Sequence, residues 1–399
     1  MKKLVLFLNV VFNVTANAQW VQETSGTLNS LRSVYFINPD TGYAVGEFGT
    51  ILKTIDGGTI WSLQNMGASI NLFSVDFPCN DTGYIAGKGI SGVIYRTING
   101  GNNWVSQSTG TNSKLLSLSF VNSNTGYAVG DSSTIIKTNN SGLNWNTQTC
   151  PPNCNLMSVC FIDADTGYAV GYTIGTVVPP IILKTIDGGV NWNQQNTSAT
   201  SYLTSVYFPS PLTGYAVGAN GTILKTINGG NNWIIQNSGI NFHLYSVHFI
   251  NNDTGYATGT SNQILKTIDG GNNWDLQTDW ITTNLLYSVF FLDANIGFAV
   301  GVHGSIYKTT NGGGLGIDDK IYLNGIIIYP NPATTIFTVN TEGEKIKKLR
   351  IVNVIGEEVL KEVINDYNAT IDVSSLANGI YFLQVQTEKG IRSKKWIKE

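Results

Sequence analysis

The chain of 399 residues contains little charge, few histidines and no long apolar run. Charged residues make up 12% of the sequence and the net charge is −3, which argues against non-specific nucleic-acid binding, because that needs a basic field. No apolar run reaches the roughly 18 residues that a membrane helix needs, and no helical apolar period persists. The three histidines are scattered, without an H-E-x-x-H motif or a comparable cluster. We therefore expect a β protein with no metal, no cofactor and no transmembrane segment.

The first 18 residues are typical of a secretory signal peptide. Lys2 and Lys3 form the charged start, an apolar run follows over residues 4–14, and Ala16-Asn17-Ala18 is an A-x-A cleavage site. The sequence therefore predicts export, with a mature chain that starts at Gln19.

The four cysteines are interpreted in that oxidising context. Cys150 and Cys154 are separated only by Pro-Pro-Asn, and we expect them to form a small disulfide loop. Cys79 and Cys160 fall in repeats that are not neighbours, so we expect no bridge between them. Paired C-x-x-C spacing, which would indicate zinc, is absent.

A block of about forty residues recurs along the chain. Each copy reads roughly L-x-S-V-x-F, then T-G-Y-A-V-G, then I-L-K-T-I-[DN]-G-G-x-x-W. Six closing tryptophans are spaced by 43, 41, 47, 41 and 41 residues: Trp61, Trp104, Trp145, Trp192, Trp233 and Trp274. Each block contains four short strands separated by turn signals, and four strands at this period predict an all-β propeller.

The number of first strands exceeds the number of closing tryptophans by one. Seven first strands begin at Leu31, Leu72, Leu115, Leu156, Leu203, Leu244 and Leu286. In the seventh copy Gly316 stands where tryptophan is expected, whereas Trp20 lies in a segment that matches the other closing strands. We therefore expect the strand after Trp20 to pair with Ile306–Thr309. The prediction is a seven-bladed propeller over residues 19–314, closed by an N-terminal outer strand.

The turn before each tryptophan has a defined chemistry. An Asp or Asn side chain can accept backbone N–H bonds there, as in Asx-turns, and glycine tolerates positive φ. These residues are Asp56, Asn99, Asn140, Asp187, Asn228, Asp269 and Asn311. The pattern resembles the Asp-box, or BNR-repeat, propellers, and the T-G-Y-A-V-G strand is most similar to the photosystem-stability and assembly-factor (Ycf48-like) group. The resemblance implies that the Asp box is a folding element away from the ligand face.

Basic residues of the propeller follow the repeat. Ten lie between residues 19 and 319, and seven of them share one repeat position: Lys53, Arg96, Lys137, Lys184, Lys225, Lys266 and Lys308. Only Arg32, Lys88 and Lys114 lie elsewhere. An assembly factor like the photosystem group predicts a basic patch on the ligand face, and three residues support that reading weakly.

Candidate catalytic groups are few. A sialidase would hold its substrate carboxylate with three arginines, but this propeller has only Arg32 and Arg96, so we reject that function. Glycoside hydrolysis needs two carboxylates that flank one bond. Few candidates are left after the acids at repeat positions are removed, and two of them, Glu47 and Asp131, both follow the V-G of a second strand, two blades apart. The related plant-glucan hydrolases use a cleft between two propellers, and solvated loop carboxylates are the simpler interpretation.

A ligand site should use the loops opposite the Asp boxes. Most of these loops are short, but blade four has a Gly/Val/Pro-rich excursion from Tyr172 to Pro180, and longer loops on rigid scaffolds often carry function. The binding candidates are Phe48, Lys88, Tyr172, Pro179, Asn220 and Trp280. Trp280 is equally compatible with packing between blades.

The sequence changes character after residue 314. A Gly-rich and acidic linker over 315–324 leads to strand-like runs at 336–340, 348–354, 370–373 and 380–387. A small antiparallel β-sandwich over 325–399 is the natural interpretation.

This segment resembles the C-terminal sorting domain (type A) of the type IX secretion system. The matching motifs contain Pro330, Asn331, Pro332, Gly356, Asp372, Leu376, Gly379 and Tyr381. The resemblance implies a Bacteroidota-type cell, passage through the periplasm and outer membrane, the secretion machinery as a partner, and a secreted or cell-surface location.

The sequence therefore favours a non-enzymatic, exported seven-bladed propeller that binds a protein or a glycan. The alternative is a polysaccharide-active glycoside hydrolase that uses Glu47 and Asp131.

Overall fold

The computed structural model describes residues 20–64, 67–175, 178–277, 284–313, 327–341, 344–353, 357–388 and 390–399. These residues fall into two compact units, which divide after Gly314. Strands dominate both units, and no helix among the described residues has the length and hydropathy to cross a membrane. The predicted signal peptide (1–18) and linker (315–324) lie outside the described residues.

The first unit contains seven four-stranded antiparallel sheets within the described residues. Strand β1 is Val21–Glu23. Sheet 1 comprises β2 (Leu31–Phe36), β3 (Gly42–Gly46), β4 (Ile51–Thr54) and β5 (Ser62–Gln64). Sheet 2 comprises β6 (Asn71–Asp76), β7 (Gly83–Lys88), β8 (Gly92–Thr97) and β9 (Val105–Gln107). Sheet 3 comprises β10 (Leu115–Phe120), β11 (Gly126–Gly130), β12 (Thr134–Thr138) and β13 (Asn146–Thr147).

The remaining sheets repeat this order. Sheet 4 comprises β14 (Cys154–Phe161), β15 (Gly167–Thr173), β16 (Pro180–Thr185) and β17 (Asn193–Gln194). Sheet 5 comprises β18 (Leu203–Tyr207), β19 (Gly214–Gly218), β20 (Ile223–Thr226) and β21 (Ile234–Gln236). Sheet 6 comprises β22 (Leu244–Phe249), β23 (Gly255–Gly259), β24 (Ile264–Thr267) and β25 (Asp275–Leu276). Sheet 7 comprises β26 (Leu286–Phe291), β27 (Gly297–Gly301), β28 (Ile306–Thr309) and, at its outer edge, β1.

Strand β1 supplies the fourth strand of sheet 7. Val21 pairs with Lys308 and Glu23 pairs with Ile306, which is the pairing that the sequence predicts. Trp20 is buried and meets Phe291 edge-on at 5.8 Å. The other closing tryptophans make the same contact with the phenylalanine that ends their sheet's first strand. The N-terminal and C-terminal parts of the repeat array therefore build one sheet together.

The first five residues of the second strand are buried in every propeller sheet, because neighbouring sheets cover both faces of this segment. Its first glycine lies under the ring of the phenylalanine that ends the first strand. A Cβ atom on Gly42 would lie 2.5 Å from Phe36 Cε1. The Tyr ring of the same strand stacks on the next sheet's phenylalanine, as Tyr127 does on Phe161 at 3.6 Å. Aromatic packing between sheets therefore explains the G-Y pair of the repeat.

Serine side chains connect the first strands of neighbouring sheets. The serine of each first strand accepts a hydrogen bond from a backbone N–H in the first strand of the following sheet. The donor and acceptor pairs are Val75 and Ser33, Leu118 and Ser74, Val159 and Ser117, Val206 and Ser158, Val247 and Ser205, and Val289 and Ser246. The Val34 N–H of sheet 1 donates to Ser288 Oγ of sheet 7 at 3.3 Å. These bonds connect the sheets in chain order and also join the last sheet to the first.

The repeated lysine position is structural. Lys53 Nζ donates to the Gly100 carbonyl in the Asp-box turn of the next sheet at 2.6 Å, and Tyr43 OH donates to the same oxygen at 2.7 Å. The same double contact joins Lys137 and Tyr127 to Gly188, Lys184 and Tyr168 to Gly229, Lys225 and Tyr215 to Gly270, and Lys266 and Tyr256 to Gly312. Five of the ten basic residues of the propeller therefore fasten neighbouring sheets.

The Asp-box turns follow the predicted chemistry. Asp56 Oδ1 accepts the N–H groups of Thr59 and Ile60 at 3.1 and 3.0 Å, and the Thr54 hydroxyl at 2.8 Å. These donors hold the pKa of the Asp56 carboxyl below its usual value. In five other turns the side-chain Oδ1 likewise accepts the backbone N–H of the residue four positions later. The accepting residues are Asn99, Asn140, Asp187, Asn228 and Asp269.

The second unit is a sandwich of two antiparallel sheets within its described residues. One sheet comprises β29 (Ile327–Tyr329), β30 (Ile336–Asn340) and β33 (Asn368–Asp372), and the other comprises β31 (Ile346–Asn353), β32 (Glu358–Asp366), β34 (Gly379–Thr387) and β35 (Gly390–Lys398). Its own core includes Phe337, Leu349, Ile371, Leu383 and Trp396. The sequence did not predict β32 or β35. Both are edge strands of the larger sheet, where charged residues are usual.

Several predicted sorting-domain residues hold this sandwich together. Asn331 Oδ1 accepts the Ile397 N–H at 2.9 Å, which ties the Pro330-Asn331-Pro332 segment to the last strand. Asp372 Oδ1 accepts the Ser374 N–H at 2.9 Å. The Tyr381 ring stacks on Trp396 at 5.3 Å. Leu376 packs against the same core, and Gly356 lies outside the described residues.

Candidate ligand-binding face

The two ends of the propeller sheets differ in what they carry. The connections between strands one and two and between strands three and four, which include the Asp boxes, lie at one end because successive strands are antiparallel. We call this the Asp-box end. The connections between strands two and three and between successive sheets lie at the other end, which we call the connection face. The predicted binding candidates among the described residues, Phe48, Lys88, Tyr172, Pro179 and Asn220, belong to the connection face.

An aromatic cluster lies on the connection face of sheets 4 to 6. The Tyr202 ring lies between Tyr172 and His243, with ring centroids 5.8 Å away on each side. Asn155 Nδ2 donates to Tyr172 OH at 2.9 Å and fixes that ring. All three rings are half-buried, so each keeps part of its surface available to a ligand.

A second group of aromatic residues continues toward sheet 1. Tyr245 and Tyr287 lie 5.3 Å apart, and Arg32 Cζ lies 3.9 Å above the Tyr287 ring, a cation–π geometry. Burial raises the pKa of Tyr245, as do the nearby Tyr287 and Tyr202 hydroxyls, whereas Arg32 lowers it. Tyr202 and Arg32 are therefore both near Tyr245. We use the name connection-face cluster for Arg32, Tyr172, Tyr202, His243, Tyr245 and Tyr287.

The predicted binding candidates have different surroundings. Phe48 is 64% exposed. Asn220 is exposed and donates to Ser201 Oγ at 3.2 Å, next to Tyr202 in the chain. Lys88 Nζ donates to the Ile90 and Asn112 carbonyls, which holds it against its own loop. Trp280 lies outside the described residues.

The blade-four excursion is partly sheet. The sequence predicts a loop from Tyr172 to Pro180, but Tyr172 pairs with Pro180 at the end of the β15–β16 hairpin. Thr173 also pairs with Cys154 on the first strand. The Thr173 N–H donates to the Pro179 carbonyl at 3.0 Å, and Pro179 is exposed. The extra residues therefore lengthen sheet 4 at the connection face and hold Tyr172 in a strand.

The predicted catalytic carboxylates are both paired with basic residues. Glu47 forms an ion pair with Arg32, and Asp131 lies 3.9 Å from Lys114 Nζ. The pairs belong to sheets 1 and 3. Together with the Lys88 contacts, they give each basic residue outside the repeated lysine position a partner. The connection face therefore carries no group of unpaired cations formed by these three residues.

The predicted disulfide is not formed in the structure. Cys150 and Cys154 are free thiols with Sγ atoms 3.7 Å apart. Cys154 Sγ also lies 3.5 Å from Ser133 Oγ. Cys79 is exposed, and Cys160 lies on β14, the strand that begins at Cys154; both are free thiols.

Sequence reasoning missed four members of the connection-face cluster: Tyr202, His243, Tyr245 and Tyr287. Tyr245 and Tyr287 occupy the second position of L-x-S on their first strands. The other sheets place Arg32, Phe73, Leu116, Met157 and Thr204 there. A comparison of this repeat position across all seven copies could have identified Tyr245 and Tyr287, because residues at this position meet around the centre of the sheets.

Solved structures share this fold. A structure described as YCF48 bound to D1 peptide is 18% identical, with a TM-score of 0.63, and the match covers 73% of this chain and 97% of that chain. PorZ, a type-IX secretion system surface component of Porphyromonas gingivalis, is 10% identical, with a TM-score of 0.59 and coverage of 94% and 60%. A GH74 xyloglucanase from Xanthomonas campestris is 13% identical, with a TM-score of 0.57 and coverage of 80% and 59%.

Family models identify both parts of the chain. A search of curated proteins returned no match. The model of the secretion system C-terminal sorting domain matches residues 327–399, and such a domain implies secretion. The model of the photosynthesis system II assembly factor YCF48 matches residues 12–109, 102–201 and 190–279, which together exceed half of the chain. The chain therefore belongs to the YCF48 family of assembly-factor propellers and carries a secretion system C-terminal sorting domain.

Proposed function

We propose that the protein is a non-enzymatic, seven-bladed propeller that binds a protein or glycan ligand through its connection face outside the cell. In this proposal the type IX secretion machinery recognises the C-terminal domain and delivers the propeller through the periplasm to the surface or the medium. The Asp boxes and the repeated lysines build the scaffold.

Contacts between sheets 7 and 1 support the proposal that the ring is closed. The Val34 bond to Ser288 repeats the contact that joins every other neighbouring pair. The Phe298 ring of sheet 7 stacks on Phe36 of sheet 1 at 4.0 Å, as the tyrosines do elsewhere. Pairing of β1 with β28 completes sheet 7 and removes an otherwise open edge.

The connection-face cluster is the observation that carries the binding function. Its five aromatic rings and one guanidinium lie on strands or, for Tyr202 and His243, on the residue that immediately precedes a first strand. Tyrosine and arginine are the residues that most often dominate binding energy at protein interfaces, and half-buried aromatic rings also suit glycans. The YCF48 structure with a D1 peptide offers a precedent for a peptide ligand on a propeller of this fold.

The test is a glycan array and a peptide-library screen with the full chain, followed by affinity measurements on variants. We expect Tyr202→Ala and Tyr287→Ala each to weaken the selected ligand at least tenfold. The control is Ile55→Ala at the Asp-box end, where Ile55 is exposed, and it should leave the affinity unchanged. Equal affinity of all three variants would remove the connection face as the binding surface.

A polysaccharide-active hydrolase is the alternative. It would use Glu47 and Asp131 on either side of one glycosidic bond. The ion pairs with Arg32 and Lys114 instead give each carboxylate its own partner. Incubation of the full chain with β-glucans should release no reducing sugar. Release that disappears in both Glu47→Gln and Asp131→Asn would establish the enzyme and overturn the non-enzymatic proposal.

A further inference from the structure

A second site of a different kind lies at the centre of the sheets. A cavity of about 510 Å³ is lined by the first strands of all seven sheets, and this volume is within the roughly 300–1,000 Å³ usual for small-ligand sites. Its lining extends to Ile250 and Leu292, the residues that follow their first strands. The cavity therefore lies toward the Asp-box end, away from the connection-face cluster.

One side of the cavity is an arc of four aromatic rings. They occupy the variable position of the V-x-F motif in four consecutive sheets. Tyr207 and His248 lie 4.6 Å apart, His248 and Phe290 lie 5.2 Å apart, and Phe290 and Tyr35 lie 5.1 Å apart. We call these four residues the aromatic arc.

The other side carries three short polar side chains at the same motif position in sheets 2, 3 and 4. Asp76 Oδ2 accepts the Phe120 N–H at 2.8 Å, and Ser119 Oγ accepts the Phe161 N–H at 3.0 Å. Cys160 completes the set. Because the Ser119 hydroxyl makes the sheet-to-sheet bond without charge, this bond does not require the carboxylate of Asp76.

The Asp76 charge has no cation to balance it among the described ion pairs. Burial raises the pKa of Asp76 to about 6, so it is mainly ionised at pH 7.5. The titratable groups around the cavity are Tyr35, Cys160, Tyr207 and His248, and none is positive at that pH, since burial lowers the pKa of His248 to about 4. A carboxylate that is partly withdrawn from water and has no counter-ion is costly, even though Asp76 accepts the Phe120 N–H.

We propose that this cavity binds a small organic cation of the alkylammonium class, with Asp76 as the counter-ion and the aromatic arc around the cationic head. Aromatic faces attract such cations through their ring quadrupoles, and quaternary ammonium ions suit cages of this kind. A metal ion fits less well, because no group of three or more His, Cys, Asp and Glu side chains converges within the described residues. The site is separate from the connection face and does not depend on the function proposed there.

The first experiment compares choline with 3,3-dimethylbutan-1-ol, its uncharged isostere, by titration calorimetry on the full chain at pH 7.5. We expect choline to bind at least tenfold more tightly than the alcohol. N-acetyl-lysine methylamide forms a third arm: binding tighter than that of choline indicates that the cation comes from a lysine of a partner, and weaker binding indicates a free small molecule. Equal binding of choline and the alcohol would overturn the proposal.

The second experiment uses a variant that keeps the sheet-to-sheet bond. In Asp76→Ser, the hydroxyl can accept the Phe120 N–H as Ser119 accepts that of Phe161, so we expect the variant to fold and to lose choline affinity at least tenfold. Asp165→Ser, an exposed carboxylate at the same end, is the matched control and should bind as the wild type does. Unchanged choline affinity in a folded Asp76→Ser protein would refute the site.

Protonation gives an independent readout. Lowering the pH from 7.5 to 5 neutralises Asp76 while His248 stays mostly uncharged, so choline affinity should fall in the wild type. In Asp76→Ser, the small residual choline affinity should be the same at both pH values. A wild-type affinity that is constant over this range would contradict the role of the Asp76 charge.

Discussion

Single residues in this propeller divide into those that fasten sheets and those that remain chemically available. Five repeated lysines, the tyrosines that share their acceptors and the repeated serines bond to neighbouring sheets, so their regular spacing is explained by the scaffold. Asp76 differs, because it occupies a sheet-fastening position with a charge that the bond to Phe120 does not need. Such a residue is expected to cost stability where it serves binding.

Replacement of Asp76 by serine should therefore stabilise the protein at neutral pH. The pKa of Asp76 lies near 6 in the folded state and near 3.8 when unfolded, so the folded protein holds an extra proton between these values. The penalty is complete above pH 6 and disappears below about pH 4. We expect Asp76→Ser to raise the free energy of unfolding by the order of 1–3 kcal/mol at pH 7.5, measured by urea denaturation.

The same comparison at pH 4 separates charge from packing. The advantage of Asp76→Ser should shrink toward zero there, because the wild-type carboxyl is then protonated in the folded state. His248 has a lowered pKa and destabilises the fold as the pH falls toward 4, but it is present in both proteins and cancels in the difference. A variant that is less stable than the wild type at pH 7.5 would contradict the prediction.

The sequence motifs locate residues along the chain but do not show which of them come together in space. Sequence reasoning placed Tyr172 and Asn220 on the connection face, and it treated the three histidines as scattered. It did not single out Asp76, because it treated the acids one at a time. The aromatic arc and much of the connection-face cluster form only where equivalent positions of neighbouring repeats meet. The distances between those positions depend on how the sheets pack around their centre.

At the scale of elements, the strand that begins after Trp20 has the largest expected effect. Trp20 fills the position that the other sheets give to their closing tryptophan, and its ring is buried against Phe291. We expect Trp20→Ala to lower the free energy of unfolding by about 3–5 kcal/mol, measured by urea denaturation.

Val21→Ala provides the matched control for that strand. Val21 is the next residue, its side chain is 49% exposed, and its backbone pairing with Lys308 is unchanged by the substitution. Its effect should stay within about 0.5 kcal/mol. Similar losses for both variants would show that the backbone of the strand, rather than the tryptophan, stabilises sheet 7.

Strand bounds were more predictable in the propeller than in the sorting domain. The first strand of sheet 1 begins at the predicted Leu31, and its second strand, Gly42–Gly46, is the G-Y-A-V-G of the repeat, because alternation and flanking glycines mark these strands clearly. In the tail, β32 reads Glu-Val-Leu-Lys-Glu-Val-Ile-Asn-Asp, whose charges mask the strand pattern. Such strands pair along only one edge, so the usual apolar signal is weak.

At the scale of the whole molecule, the seven serine bonds should be equivalent if the ring is closed. Ser288→Ala removes the acceptor that joins sheet 7 to sheet 1, and Ser74→Ala removes the one that joins sheets 2 and 3. An unsatisfied buried N–H costs about 1–3 kcal/mol. We expect equal losses in the free energy of unfolding from the two variants, by urea denaturation. A loss for Ser74→Ala alone would indicate an open array.

The pairing of β1 with β28 also makes the two ends of the repeat array neighbours. A Cβ atom on Gly313 would lie 2.9 Å from Trp20 Nε1, so a short linker could join residue 313 to residue 20. New termini could then be cut in any connection between sheets, and circular permutation is tolerated at surface connections of this kind. Each permuted chain would pass through the same sequence of contacts. In the closed ring that we propose, the order of the sheets would be cyclic, and any connection between sheets could carry the termini in place of the present opening, which lies between strands three and four of sheet 7.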